Sequence, residues 1–269
     1  YSTDLITRHS IQFIRDHRET PFFLYVSHLA IHFPWQGPDD PAHREAGTTY
    51  ENDKWGLIPD KKNVRPHIKA MVESVDNGVG EIIQTLEELG LEKNTLVIFT
   101  SDNGGYIHYA NEFYNISDNG DLRGQKAEVY EGGHRVPCIA YWPGRICPGT
   151  ETDETVLTMD LFPTFAALAG AEIPGNKHLD GVNILPVLTD QEKLQARFVF
   201  WKMRNEKAVR KGPWKLIVIG EAAPELYNLD NDIGEKNNTS DEHPELVTRM
   251  LEAYDEWHSD VSDHAAKFE

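Results

Sequence analysis

Basic residues are scarce in this 269-residue chain: 26 Lys and Arg stand against 44 Asp and Glu, a formal net charge of −18. Such a field repels nucleic acid and anionic membranes at long range, so neither is expected as a partner. Cysteine is scarcer still. Cys138 and Cys147 flank the stretch PCIAYWPGRIC without metal-knuckle spacing. A disulfide across a bend and two free thiols both stay open for them. No stretch approaches about 18 consecutive apolar residues, so no segment is expected to span a membrane. Several catalytic signatures are missing: there is no Gly-x-Ser-x-Gly elbow, Walker loop, GxGxxG or HExxH. Nothing presents itself as a covalent nucleophile. An initial Met and a signal peptide are missing too, and YSTDLIT runs at once into a helical pattern. The chain is therefore expected to be a piece of a longer protein, with localisation signals upstream.

What is present suffices for a packed core. Apolar residues make up 39% of the chain, and 6 Trp, 10 Tyr and 11 Phe argue for one large or two modest domains. Thr3 and Asp4 can cap a helix to about His17, with Leu5, Ile6, Ser10, Phe13 and Ile14 facing inward. FFLYVS reads as a buried strand and empties into the Pro-rich, His-bearing loop HLAIHFPWQGPDDP. The longest helical periodicity runs from Arg65 to Leu89, and Gly90 is placed to stop it. TLVIFTS and VPCIAYWP read as further buried strands. LTMDLFPTFAALAG reads as a helix from near Asp160 to Gly170. After about residue 190 the texture changes to short strands, RFVFWK, KAVRK, WKLIVIG and ELYNL, followed by a helix from Pro244 to about Trp257. The expected class is α/β, a mixed sheet between helices over 1–190, plus a small C-terminal antiparallel sheet with a helix over 191–269.

In open α/β sheets, sites gather at the carboxyl ends of strands. Two polar clusters stand at such ends: His28 to His32, and Asp102-Asn103. Asp102 and Asn103 offer the oxygens a hard cation such as Ca²⁺ or Mg²⁺ wants, although Asp-Asn-Gly is also a common turn. The stretch RGQKAEVYEGGHRVP follows, Arg123 to Pro137. Lys126 can hold an oxyanion and offset charge developing in a transition state. Arg123 can orient a carboxylate or an oxyanion. His32, or His28 four residues earlier, can deliver a proton to a leaving alkoxide. A hard cation, a lysine and a proton-donating histidine suit displacement at a tetrahedral oxyanion ester.

PFFLYVSHLAIHFP, TLVIFTSDNGG, RGQKAEVYEGGHRVPCIAYWPG and DLFPTFAALAG, in that order, resemble the landmarks of the arylsulfatase-type sulfatases. KGPWKLI and ELYNLDND resemble that family's small C-terminal subdomain. The resemblance implies an alkaline phosphatase-like fold and hydrolysis of a small-molecule or carbohydrate sulfate ester. It implies a Ca²⁺ site (Mg²⁺ less so) completed by Asp102 and Asn103. It implies that Lys126 contacts the sulfate and the leaving oxygen, and that His32 contacts the sulfate near the scissile bond. Which histidine is the acid stays open. It also implies a periplasmic, extracellular or lysosomal setting.

One departure stands out. The family nucleophile is a formylglycine made from Cys or Ser in a C/S-x-P-S/A-x-R motif, and neither Cys138 nor Cys147 fits it. The chain is therefore expected to be the C-terminal half or more of a sulfatase, inactive alone, with the formylglycine segment upstream. A phosphodiesterase or phosphonate monoester hydrolase of the same superfamily is the first alternative. Asn103 speaks against its two-zinc members, which would want a His there. A non-catalytic binder of sulfated glycans is the second.

Overall fold

In the computed structural model, residues 1–42, 44–54, 56, 62–175 and 179–264 are described. Their contacts group them into two compact units. One comprises 1–98, 105–118 and 141–144; the other comprises 99–104, 119–140 and 145–269.

In the first unit, α1 (Ser2–Asp16) packs on α2 (Arg65–Glu88). The inward face of α1 is Thr3, Thr7, Ser10 and Ile14, and Leu5 is 47% exposed, contrary to the expected inward face. The reason is a close crossing. A Cβ on Gly78 of α2 would lie 2.3 Å from Thr7 Oγ1, so small residues and not leucines meet there. α2 ends as its sequence indicates. Gly90 takes φ +69°, Gly90 N–H donates to Glu87 O (3.0 Å), and Leu91 N–H donates to Leu86 O (2.8 Å). These bonds cap two carbonyls that the last turn leaves without helical partners.

The two halves of α2 carry two cores. Its C-terminal half joins Ile82 and Leu86 to Ile14, with Phe22, Leu24 and Val26 packed against them. Its N-terminal half joins Ile68 and Met71 to Trp35, Val64, Phe113 and Ile116. The stretch FFLYVS is thus not buried on both faces. Phe22, Leu24 and Val26 turn inward while Phe23 and Tyr25 are 68% and 80% exposed, and the stretch does not pair as a strand among the described residues. Of the Trp35 to Gly56 loop, Trp35 is core and Asp40 pairs with His67 at 2.7 Å. His43 and Trp55 lie outside the described residues.

Strand β1 (Val97–Thr100) pairs with β4 (Cys138–Tyr141); between them in sequence come the hairpin β2 (His108–Tyr109)–β3 (Phe113–Tyr114) and the single turn α3 (Glu131–His134). The second unit continues with α4 (Leu161–Leu168) and α5 (Leu185–Asp190). A four-stranded antiparallel sheet follows: β5 (Phe198–Met203), β6 (Glu206–Lys211), β7 (Trp214–Ile219) and β8 (Glu225–Asn228). Its register pairs Met203 with Glu206 and Lys211 with Trp214, so two-residue turns join the first three strands. Arg204 and Gly212 take φ +54° and +57° in those turns. One face of the sheet, Val209, Leu216 and Leu226, packs on Met250 and Tyr254 of α6 (Pro244–His264). The other face, Ala208, Ile217 and Tyr227, takes Val129 and Tyr130. That second contact carries the loop that holds Lys126. Among the described residues no helix is long and apolar enough to cross a membrane. Cys138 and Cys147 are exposed free thiols.

Candidate active site

β1 ends in the turn Ser101-Asp102-Asn103-Gly104. Ser101 Oγ donates to Asn103 O (3.1 Å), and the Asn103 amide nitrogen donates to Gly104 O (3.0 Å), which leaves the Asn103 side-chain oxygen as an acceptor or ligand. Gly104 N–H donates to Gly133 O at 3.0 Å. A Cβ on Gly104 would fall 1.8 Å from Gly132 O, so only glycine lets the two backbones meet. The turn bearing Asp102 is therefore locked, backbone to backbone, on the end of the Lys126 loop.

That loop, Arg123 to Arg135, closes on itself. Gly132 N–H donates to Arg123 O (2.7 Å), Gly133 N–H to Tyr130 O (2.8 Å) and Glu128 N–H to Gln125 O (3.1 Å). The Asn119 amide spans Gly124 O (3.0 Å) and Gly132 O (3.2 Å). Lys126 is half-buried on the Gln125–Glu128 turn, where Ala127 takes φ +71°. Arg123 is engaged by protein groups. It donates to Tyr227 Oη (3.0 Å) and Glu235 O (2.8 Å), and its guanidinium lies 3.8 Å from the Tyr130 ring centre.

His28 and His32 belong to the first unit, and Asp102, Asn103, Arg123 and Lys126 to the second. His32 is exposed; its Nδ1 pairs with Phe33 O at 2.8 Å, which leaves Nε2 for proton transfer. Both ring nitrogens of His28 are buried without a hydrogen-bond partner among the described residues, and burial lowers its pKa.

Beneath the loop lies a buried ionic cluster. Lys215, on β7, has no exposed surface. Its Nζ stands 2.7 Å from Glu131 Oε1, 2.9 Å from Glu235 Oε1 and 3.1 Å from His134 Nε2. Arg135 and Arg210 approach Glu131 Oε2 at 3.3 and 3.6 Å. Burial alone would raise the Glu131 carboxyl, but Lys215 and its neighbours hold it below its ordinary value. Burial raises Glu235, which Lys215 only partly offsets. Burial, reinforced by Lys215, lowers His134 to about 4, so it is neutral and can accept from the ammonium. Its ring also stacks on Trp201, with centres 4.3 Å apart. Sequence reasoning singled out neither Glu131, Lys215 nor Glu235. The available signal was a lysine inside the apolar run WKLIVI.

Among the described residues no three His, Cys, Asp or Glu side chains come together as a metal cluster. Asp102 and Asn103 supply two oxygens. Their chemistry fits a hard cation, which takes about six to eight such ligands, so these residues fit as part of a site.

Comparison with known proteins completes the picture. The family model "Sulfatase" matches residues 1–171. The model "N-sulphoglucosamine sulphohydrolase, C-terminal" matches residues 124–258. The chain is 36% identical over 213 residues to steryl-sulfatase of Rattus norvegicus, covering 74% of this chain and 34% of that protein. It is 32% identical over 271 residues to N-acetylgalactosamine-6-O-sulfatase of Bacteroides thetaiotaomicron, covering 93% and 49%. The crystal structure of Ps i-CgsB, also solved with k-i-k-neocarrahexaose, superposes with a TM-score of 0.78 at 31% identity, over 96% of this chain and 55% of that one. The fold is that of the alkaline phosphatase-like hydrolases, with the small antiparallel sheet added. The chain belongs to the sulfatase family. It spans about half the length, or less, of the curated relatives it matches.

Proposed function

We propose that the protein hydrolyses sulfate esters of carbohydrates, releasing the alcohol and sulfate. The observation that carries this reading is the backbone lock between the Asp102-Asn103 turn and the Lys126 loop, in a chain of the sulfatase family. Two relatives support a sugar ligand, one solved in complex with k-i-k-neocarrahexaose and one named N-acetylgalactosamine-6-O-sulfatase.

In this reading Asp102 and Asn103 hold a Ca²⁺ ion, with Mg²⁺ a poorer fit. A cation held there would supply Lewis-acid stabilisation of the ester oxygens. Lys126 places a point charge against the sulfate and the leaving oxygen, where negative charge grows in the transition state. His32 or His28 gives the proton to the leaving alkoxide; His32, whose Nδ1 pairs with Phe33 O, keeps Nε2 for that transfer. Arg123 spends its donors on Tyr227 and Glu235 and is taken as an anchor of the loop, with any sulfate contact secondary. No Cys or Ser of this chain stands in the formylglycine motif, so no step here is routed through an aldehyde. Residues 1–190 are taken as part of the catalytic domain and 191–269 as the small subdomain. A periplasmic, extracellular or lysosomal setting goes with the same reading.

The test is sulfate release, followed by ion chromatography, from sulfated mono- and oligosaccharides by the protein at its full natural length. Lys126→Ala and Asp102→Ala are each expected to lower the rate by about a hundredfold or more. Release that is indifferent to Lys126→Ala would sink the assignment. Hydrolysis of a phosphonate monoester without any sulfate release would replace it with the sister activity.

A further inference from the structure

Lys215 raises a question that stability does not answer. A lysine with no exposed surface, beside two carboxylates with none, loses hydration worth several kcal/mol per ion. Well-packed apolar residues of similar size commonly do as well or better. What an ion cluster can add is geometry, because moving one member away leaves a buried charge unpaired. Its attachments here are specific.

Glu235 grips both ends of the Lys126 loop. Its Oε2 accepts from Glu131 N–H at 2.8 Å, and its carbonyl accepts from Arg123 at 2.8 Å. Glu235 is itself fixed. It sits in a turn with φ +51°, its N–H donates to Asp232 O at 3.1 Å, and its Oε1 lies 2.9 Å from Lys215 Nζ. Lys215 in turn holds the Glu131 carboxylate at 2.7 Å, from the centre of a sheet whose register is set on both sides. The rest of the loop is tied to the same sheet. Val129 N–H donates to Glu206 Oε2 (3.1 Å), and Tyr130 Oη to Glu225 Oε2 (3.0 Å). The sheet thus holds the segment at residues 123, 129, 130 and 131, on both sides of Lys126.

We propose that Lys215, Glu131 and Glu235 are positioning residues for Lys126, a buried ion clamp that fixes both ends of its loop on the C-terminal sheet. The inference rests on the reading of Lys126 as the sulfate-facing lysine, and it deepens that reading. The Gly132-Gly133 pair carries the clamp onward. A Cβ at Gly132 would meet Gly124 O at 2.3 Å, and one at Gly133 would meet Glu128 O at 2.0 Å. A shift of Glu131 is therefore passed directly to the segment that carries Lys126 and to the Asp102 turn.

The experiment uses the protein at its full natural length and needs no turnover. Glu235→Gln keeps the size of the side chain and an acceptor for Glu131 N–H but loses the charge facing Lys215; Glu235→Ala loses both. Two quantities are read for each variant. One is amide hydrogen exchange at 123–135 against that at 198–219. The other is the acylation rate of Lys126 by a water-soluble succinimidyl ester, against Lys202 and Lys207 as internal controls. Glu235→Gln is expected to speed exchange at Glu131, Gly132 and Gly133 by about tenfold and to change Lys126 acylation by about threefold. The strands should stay within about twofold of the parent, and Glu235→Ala should exceed Glu235→Gln in the loop. If loop and strands loosen together, or if Lys126 acylation stays at the parent rate, the cluster only stabilises the sheet and the proposal falls. If Glu235→Ala fails to fold, Glu235→Gln decides alone. Should sulfate release prove absent, both readouts still report on the clamp, so the two claims fail separately.

Discussion

The Asp160 carboxylate has no exposed surface, and its oxygens are fully subscribed. Oδ1 accepts from Val182 N–H at 2.8 Å, and Oδ2 accepts from Leu157 N–H at 2.7 Å and from Arg197. One side chain thus ties the start of α4 to two segments, 22 and 37 residues further on. Asp160→Ala would leave the Arg197 guanidinium without its partner and two backbone N–H groups without acceptors. The expected loss is about 3–5 kcal/mol in urea unfolding, with Asp160→Asn losing less because one acceptor survives. A loss below about 1 kcal/mol would show that Arg197 finds another partner. In the sequence Asp160 reads only as a helix start, because Val182 and Arg197, two of its three partners, are not local. The same holds for the clamp. Glu131 lies inside the stretch that draws attention, but Lys215 and Glu235 are 84 and 104 residues away. Lys126, Asp102 and Asn103 draw attention in the sequence because glycines sit beside them in the chain, at Gly124 and Gly104.

Elements were legible wherever a periodic pattern or a stop signal was local. α2, its Gly90 stop and the four C-terminal strands fall where the pattern puts them. On α1, Ser10 and Ile14 face inward as hydrophobic spacing indicates, but Thr3 and Thr7 replace Leu5 there, because the crossing is governed by size. Thr7 Oγ1 is buried without a hydrogen-bond partner among the described residues, and it occupies the space a Cβ on Gly78 would need. Gly78→Ala should therefore destabilise the chain by about 1–3 kcal/mol through overlap, although Ala is worth about 1 kcal/mol more than Gly inside a helix. Removing the obstacle should change the sign. In a Thr7→Ala background the same substitution should stabilise, because only the helix preference remains. A double-mutant cycle by thermal or urea unfolding measures this. Additive effects would mean that the two helices shift apart instead of clashing. The segment FFLYVS fails for a different reason. A continuous apolar run shows that both faces are apolar, not that both are covered within the same unit. Here Phe22, Leu24 and Val26 find the core of α1 and α2, and Phe23 and Tyr25 do not.

For the molecule as a whole 44 acidic residues stand against 26 basic ones, and the cluster around Glu131 carries the opposite local balance. Around Glu131 the cluster gathers Lys215, Arg210 and Arg135, three cations, against Glu131 and Glu235. His134 faces this group as a neutral ring, its pKa lowered from 6.5 to about 4 by burial and by Lys215. The sign of its effect on stability follows from proton uptake. Between about pH 6.5 and 4 the unfolded chain binds a proton at this histidine and the folded chain does not. Stability is therefore fully supported above pH 6.5 and falls as the pH drops through that window, by at most about 1.4 kcal/mol per pH unit from this one group. The expected outcome for His134→Gln, which keeps an acceptor for Lys215, is a shallower decline between those limits. The slope above pH 7 should be unchanged. The measurement is urea unfolding of both proteins at half-unit steps from pH 7.5 to 4, at constant ionic strength. Parallel curves would show that His134 takes up its proton in the folded state as well, which requires the ammonium of Lys215 to move off its nitrogen. A shallower curve for the variant would place an acid-labile contact of the fold at His134, against Lys215.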